Sequence, residues 1–391
     1  MGAELRSVRE GRGEGNGAPC VLTLFGTRPE VVKLAPVVRA LETHPGGFRT
    51  VNVSSGQHAD LVHPFAETLG LRVDADLGVA REDQTPAAVL ERVLAGLDPW
   101  IARERPEFVL VQGDTTTALA GALAGFYRHV PVGHVEAGLR SGNLKSPFPE
   151  EMNRRLITRI ADLHFAATER NAETLRREGV PPERIARTGN PVVDSVQWAL
   201  EGGRPTEALA ALLQRAGSRR ILVLTTHRRE SFGSLMMQRL RALRGFVESH
   251  ADVVLVFPVH PNPHVREQAR SELADCDRIE LVDPLGYFDF VHLLARAWLV
   301  VSDSGGVQEE APTLGKPVIV IRENTERPEV LEAGVAKLAA SVPALAALLE
   351  EAHSDPGWSR SVLAARNPFG EGNSGRQIAD TLHRFLRSRS E

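Results

Sequence analysis

Short apolar runs of four to eight residues recur along the chain, and between them lie segments with helical spacing. Val21–Phe25, Thr50–Ser54, Phe108–Gln112, Val130–Val135 and Leu163–Ala167 form a first set. Runs this short and this continuously apolar predict strands buried on both faces of a parallel sheet, with helices covering each face. The rhythm breaks over 199–219, where Gly202, Gly203 and Pro205 precede one short helical stretch. It restarts at Arg220–Thr226 and continues through Asp252–Val259, Ile279–Val282, Trp298–Asp303 and Pro317–Ile321. The chain therefore reads as two doubly wound α/β domains, 20–199 and 200–371, with a tail over 1–19 and a basic helix over 372–391. That helix is expected either to be solvated or to pack back on the first domain. Two such domains facing each other would hold a ligand beyond the carboxyl ends of both sheets.

Composition narrows the function. Of 391 residues, 42% are hydrophobic, which is enough for real cores. The formal charge of −4 provides no basic field for nucleic acid or an anionic membrane. Two cysteines, Cys20 and Cys276, exclude a disulfide framework and a cysteine-rich zinc site. No apolar run approaches the roughly 20 residues that span a bilayer. The first residues lack the apolar core of a signal peptide, so a cytoplasmic location is expected. Gly11, Gly13, Gly15 and Gly17 precede the first strand, whereas a dinucleotide loop follows one, so no nicotinamide site is implied.

Polar residues gather just after the strands, where open α/β sheets bind ligands. Gly26-Thr27-Arg28-Pro29-Glu30 and then Lys33 follow the first run. Arg28 and Lys33 at a helix start suit an anion, and a surface pair with Glu30 is the plainer alternative. Asp114 follows Phe108–Gln112 and is either a helix cap or a reacting group. Glu136 follows the fourth run. Pro147-Phe148-Pro149 then leads into Glu150, Glu151 and Arg154, and one of the two glutamates is expected to be structural. In the second half, His227-Arg228-Arg229 end one strand. Ser304-Gly305-Gly306 open a helix that carries Glu310, a phosphate cradle by its free backbone N–H groups. Arg327 is a second phosphate candidate. His260 and His264 are split by Pro261 and Pro263, which prevents helical presentation to a metal. His134, inside a strand, is expected to be a packed, hydrogen-bonded imidazole.

Ten segments occur in a fixed order: GTRPEVVKLAPVV, GQH, QGDTTTALAGALA, HVEAGLRSGN, PFPEEMNRRL, TGNPVVDSV, THRRES, VHPNP, SDSGGVQEEAPTLGKP and TERPE. Together they resemble the non-hydrolysing UDP-N-acetylglucosamine 2-epimerases over residues 20–375. The resemblance implies the GT-B architecture, two facing Rossmann-like domains. It makes Ser304, Gly305 and Gly306 the diphosphate cradle, Glu310 the ribose ligand and Phe290 a uracil contact. Arg28, Lys33, His227 and Arg327 would surround the diphosphate and sugar. Asp114, Glu136 and Glu150 would face the hexose, with Arg154 supporting them and His227 in the catalytic set. Gln57 and His58 match residues of an allosteric UDP-N-acetylglucosamine site, but Ala59 and Asp60 replace the polar run that usually follows. Leu285 stands where family members often carry a glutamine.

The implied reaction is reversible epimerisation at C2 of UDP-N-acetylglucosamine to UDP-N-acetylmannosamine. UDP leaves C1 by anti elimination as C2 loses its proton, giving 2-acetamidoglucal, and then adds back with protonation on the other face. Proton-transfer groups on both faces of C2 are required. The scheme calls for no cofactor and no metal, and the family implies a homodimer. A modified UDP-hexosamine substrate such as a di-acetamido uronate, a hydrolysing epimerase that releases N-acetylmannosamine, and a GT-B glycosyltransferase remain alternatives.

Overall fold

The computed structural model describes residues 17–57, 59–82, 84–226 and 233–390. The expected tail over 1–19 therefore lies mostly outside the described residues, and His58 and His227 lie wholly outside them. The chain forms two compact units. The first runs to Asp194 and resumes at Gly370, and the second is Ser195–Phe369. The expected division at 199/200 falls inside a continuous helix, Pro191–Gly202. The crossing comes earlier because that helix opens among first-unit residues, with its Asp194 carboxylate accepting from the backbone N–H groups of Ser374 and Gly375 at 3.2 and 3.0 Å.

The first unit is a seven-stranded parallel sheet. Its strands are β1 (Cys20–Phe25), β2 (Arg49–Ser54), β3 (Ala75–Asp76), β4 (Phe108–Gln112), β5 (Val132–Ala137), β6 (Leu163–Ala166) and β7 (Ile185–Arg187), in spatial order β3-β2-β1-β4-β5-β6-β7. The second unit is a six-stranded parallel sheet of β8 (Arg220–Thr225), β9 (Val253–Pro258), β10 (Ile279–Val282), β11 (Ala297–Ser302), β12 (Val318–Val320) and β13 (Ala336–Leu338), in order β10-β9-β8-β11-β12-β13. Both are doubly wound α/β folds of the Rossmann-like kind found in GT-B proteins. The short strands β3, β7 and β13 escape the apolar pattern because two or three residues at a sheet edge show no period.

Strand order reverses between β1 and β4 in the first sheet and between β8 and β11 in the second. Loops beyond those strand ends splay apart, so each reversal leaves a crevice at the carboxyl edge. In the first sheet those loops begin at Gly26 and Gly113. In the second they begin at Thr226 and Asp303.

Every residue of β1 and of β4 is buried, as a sheet covered on both faces requires. One cover is the helix Thr116–Tyr127, half of whose residues are Ala or Gly. A Cβ on Gly121 would come within 2.8 Å of Leu24 Cδ2 and Val111 Cγ1, so small residues let this helix lie close on the sheet. The C-terminal helix Ser374–Ser390 packs on the helix Arg28–Glu42 of the same unit, with Ile378, Ala379 and Leu382 buried. Among the described residues no helix is long and apolar enough to cross a membrane.

Candidate functional site

The turn after β1 is organised by a carboxylate. Glu30 is buried, and its Oε2 accepts from the backbone N–H of Gly26 and Thr27 and from the Thr27 hydroxyl at 2.8–2.9 Å. Its Oε1 accepts from the Thr115 hydroxyl at 2.6 Å. Burial pushes this carboxyl above the ordinary glutamate value, and the hydrogen bonds pull it back only in part. The surface pair between Arg28 and Glu30 is thus overturned: Glu30 ties the β1 turn to the β4 turn. Exposed Arg28 lies over the Phe65 ring, 5.8 Å from its centre.

Glu136 sits at the end of β5 in a left-handed conformation, φ 66°, where the register with β6 shifts between Val135 and Ala137. A bulge of this kind re-aims a side chain. Glu136 Oε1 lies 2.6 Å from Lys33 Nζ and 3.4 Å from Asn190 Nδ2. Its Oε2 accepts from Gln112 Nε2 at 2.5 Å. Lys33 itself is buried, as its partner allows. Asp114, one turn away after β4, is held by Arg154, whose Nε and Nη2 approach Oδ2 at 2.7 and 2.6 Å. The Asp114 carbonyl accepts from Asn153 Nδ2 at 2.9 Å.

The chain enters the helix Glu150–Ile160 through Ser146–Pro147 and Phe148–Pro149, both cis. The two glutamates then separate in role. Glu151 is fully buried and accepts from Ser141 N, Arg154 Nη1 and Arg155 Nε at 2.9–3.2 Å. Glu150 is half-buried at the first helical position. Arg154 is thereby locked between Glu151 and Asp114, with its guanidinium almost wholly buried. His134 is buried and hydrogen-bonded as expected, its Nε2 2.7 Å from the Gly113 carbonyl, and burial drives its pKa down to about 3.

In the second unit, Ser304 caps the helix Gly305–Thr313, its own N–H donating to Ser302 Oγ at 3.0 Å. Arg327 lies against the first turn of this helix. A Cβ on Gly305 would stand 2.8 Å from Arg327 Nη1 and 2.9 Å from Cζ, so only glycine leaves the guanidinium its place. Arg327 Nε donates to Glu309 Oε1 at 2.6 Å, and Glu309 is buried. Gly306 lies beside it in the same turn. Glu310 is also buried, close enough to Tyr287 that its charge adds to the burial that raises the Tyr287 phenol. Phe290 is half-buried in the helix Tyr287–Arg296. A helix N-terminus with a fixed guanidinium beside it is suited to a diphosphate.

The structure thus clusters Lys33, Glu136, Asp114 and Arg154 with the turn that bears Arg28, and separately clusters Ser304, Gly305, Gly306 and Arg327. Gln57, half-buried after β2, donates its N–H to Ser55 Oγ at 3.4 Å. Gln112, Asn190 and Glu309 are partners that the sequence did not single out. The segments QGD and TGNP carry the first two. No sequence period distinguishes a glutamine aimed at a carboxylate from one that ends a strand.

The profile of the UDP-N-acetylglucosamine 2-epimerase family matches residues 39–383. The UDP-N-acetylglucosamine 2-epimerase of Bacillus subtilis is 42% identical over 363 residues, covering 93% of this chain and 94% of its own. The Methanocaldococcus jannaschii UDP-GlcNAc 2-epimerase in complex with UDP-GlcNAc and UDP aligns with TM-score 0.78 at 32% identity, covering 93% of this chain and 99% of its own. The Neisseria meningitidis UDP-GlcNAc 2-epimerase bound to UDP-GlcNAc aligns with TM-score 0.86 at 34% identity, covering 93% of this chain and all of its own. With this sheet order and these two charged clusters, the chain belongs to the UDP-N-acetylglucosamine 2-epimerase family of isomerases.

Proposed function

We propose that the protein interconverts UDP-N-acetylglucosamine and UDP-N-acetylmannosamine without net hydrolysis. The observation that carries this reading is the pairing of two carboxylates with two buried cations at one strand reversal, Asp114 with Arg154 and Glu136 with Lys33. Carboxylates fixed in this way can serve as proton-transfer groups whose position costs little to organise at the moment of reaction. The neighbour bound to UDP-GlcNAc supports the substrate.

In the forward direction a carboxylate takes the C2 proton. The C2–H electron pair forms the C1=C2 double bond, and the C1–O bond breaks with its electrons on UDP. Re-addition reverses each step, with the proton delivered from the opposite face, so atoms and electrons balance within the substrate. Asp114, Glu136 and Glu150 are the proton-transfer candidates, with His227 assisting. Ser304, Gly305, Gly306 and Arg327 hold the diphosphate, whose charge grows as it leaves. Arg28 and Lys33 add positive charge, Glu310 serves the ribose and Phe290 the uracil.

Proton NMR of the protein with UDP-N-acetylglucosamine in D₂O tests this. Growth of UDP-N-acetylmannosamine signals with deuterium at C2 is the expected result. Free N-acetylmannosamine plus UDP would indicate a hydrolysing enzyme, and no exchange would exclude this substrate. Asp114→Asn, Glu136→Gln and Glu150→Gln are each expected to slow turnover by at least ~100-fold, the range for a general acid–base group, with UDP still bound. Wild-type rates in all three would reject the assignment.

We further propose a homodimer. Phe148, just before the helix Glu150–Ile160, and Met152 and Leu156, four apart within it, are exposed, as are Phe126 and Tyr127 on the helix Thr116–Tyr127 that packs against it. Exposed apolar side chains gathered on neighbouring elements mark a protein contact.

A further inference from the structure

Glu136 has donors from three separate elements converging on it. Lys33 comes from the helix Arg28–Glu42, Gln112 from the end of β4, and Asn190 from the loop before the helix Pro191–Gly202. The two amides are buried, with Gln112 2% and Asn190 1% exposed. Their orientations follow from their partners. Asn190 Oδ1 accepts from the Val192 N–H at 3.1 Å, which leaves the NH₂ group to face Glu136. With Glu136 paired to Lys33 as a carboxylate, Gln112 meets its other oxygen at 2.5 Å through the NH₂, because two acceptors would repel. Buried amides are not placed around a carboxyl by helix or strand propensity, and each would lose its hydrogen bond if the carboxyl moved.

We propose that Gln112 and Asn190 are positioning residues that, with Lys33, hold Glu136 as an ionised carboxylate ready to accept a proton. The inference deepens the epimerase reading and rests on it only for the identity of that proton. One carboxylate oxygen receives Gln112 and the other receives Lys33 and Asn190, and donors favour the ionised form. The bulge and left-handed backbone at Glu136 are then the local cost of turning the side chain from the sheet face into this ring of donors.

Other titratable groups lie on the surrounding elements. Asp114 is bound by Arg154, and Glu150 and Glu151 lie on the helix that carries it. Glu30 accepts from Gly26, Thr27 and Thr115. His134 contacts the Gly113 carbonyl and Arg140 pairs with Glu178, while His164 lies across the ladder from His134.

The test uses the full chain labelled with ¹³C at glutamate carboxyls. The Glu136 signal is identified by its loss in Glu136→Gln. In Gln112→Met, which keeps the shape and removes the donor, the Glu136 titration is expected to move up by about one pH unit, a tenfold change in its protonation equilibrium. Asn190→Ala is expected to move it in the same direction and guards against one variant failing to fold. The acidic limb of kcat/KM should move with the carboxyl signal, and lost activity should return as pH rises, which a merely structural defect would not show. An unmoved Glu136 titration in both folded variants overturns the proposal. A titration that moves in a protein inert toward UDP-N-acetylglucosamine upholds the positioning and rejects the epimerase reading instead.

Discussion

A Cβ on Gly305 would stand 2.8 Å from the Arg327 guanidinium, so a methyl there must push the guanidinium aside. Gly305→Ala is therefore expected to displace Arg327 and to weaken UDP binding by roughly tenfold, ~1.4 kcal/mol, in a calorimetric titration. An unchanged affinity would show that Arg327 does not hold the diphosphate. The two cysteines differ as sharply. Cys20 is buried in β1, and burial pushes its thiol up to about 11, whereas Cys276 is partly accessible. Thiolate is the reactive form. A disulfide reagent at mildly alkaline pH should consume Cys276 alone until the protein is denatured. Both residues were visible in the sequence, but their reactivities were not, because burial is a property of the neighbours.

At the scale of elements, the C-terminal helix Ser374–Ser390 depends on a residue far away in sequence. Asp194 accepts from the N–H groups of Ser374 and Gly375, in the role of a helix cap supplied from another element. Asp194→Ala should lower the unfolding free energy of the first unit by about 1–3 kcal/mol, because two buried donors lose their acceptor. Asp194→Asn should lose less. Denaturant unfolding measures both, and equal losses would mean that packing rather than hydrogen bonding is responsible. The basic composition of this helix was legible in the sequence, but its docking was not. Gly375, whose Cβ would stand 2.6 Å from the Pro36 carbonyl, is what lets the helix seat on Arg28–Glu42.

At the scale of the whole molecule, two buried histidines set a pH response. Burial holds His134 at about 3 and His164 at about 4. Both are neutral in the folded state and protonate on unfolding below the ordinary histidine value. Stability of the first unit should therefore be intact at pH 7 and fall as pH drops from about 6.5 toward 4, at ~1.4 kcal/mol per pH unit for each histidine. The raised carboxyls of Glu30 and Asp194 oppose this, because they favour the folded state at lower pH. The His164→Leu variant isolates the effect: its stability should depend less steeply on pH than wild type across that range. Phe148→Asp with Leu156→Asp should convert a dimer to a monomer in light scattering, since a charge on an apolar contact face is not solvated once covered. A dimer that survives both changes would place the contact elsewhere.

The sequence by itself determined ten of the thirteen described strands, the two doubly wound units and most of the charged residues near the strand reversals. Buried parallel strands are written as continuous apolar runs, and open α/β sheets bind ligands just beyond their carboxyl ends. Tertiary structure alone decided the partners: Glu30 serves the turns rather than Arg28, Glu151 rather than Glu150 is the structural glutamate, and Gln112 and Asn190 surround Glu136. Those contacts join residues as far as 103 positions apart, as between Lys33 and Glu136. Local periodicity reports which face of an element is apolar, whereas the choice of partner for a carboxylate depends on which elements the sheet order brings together.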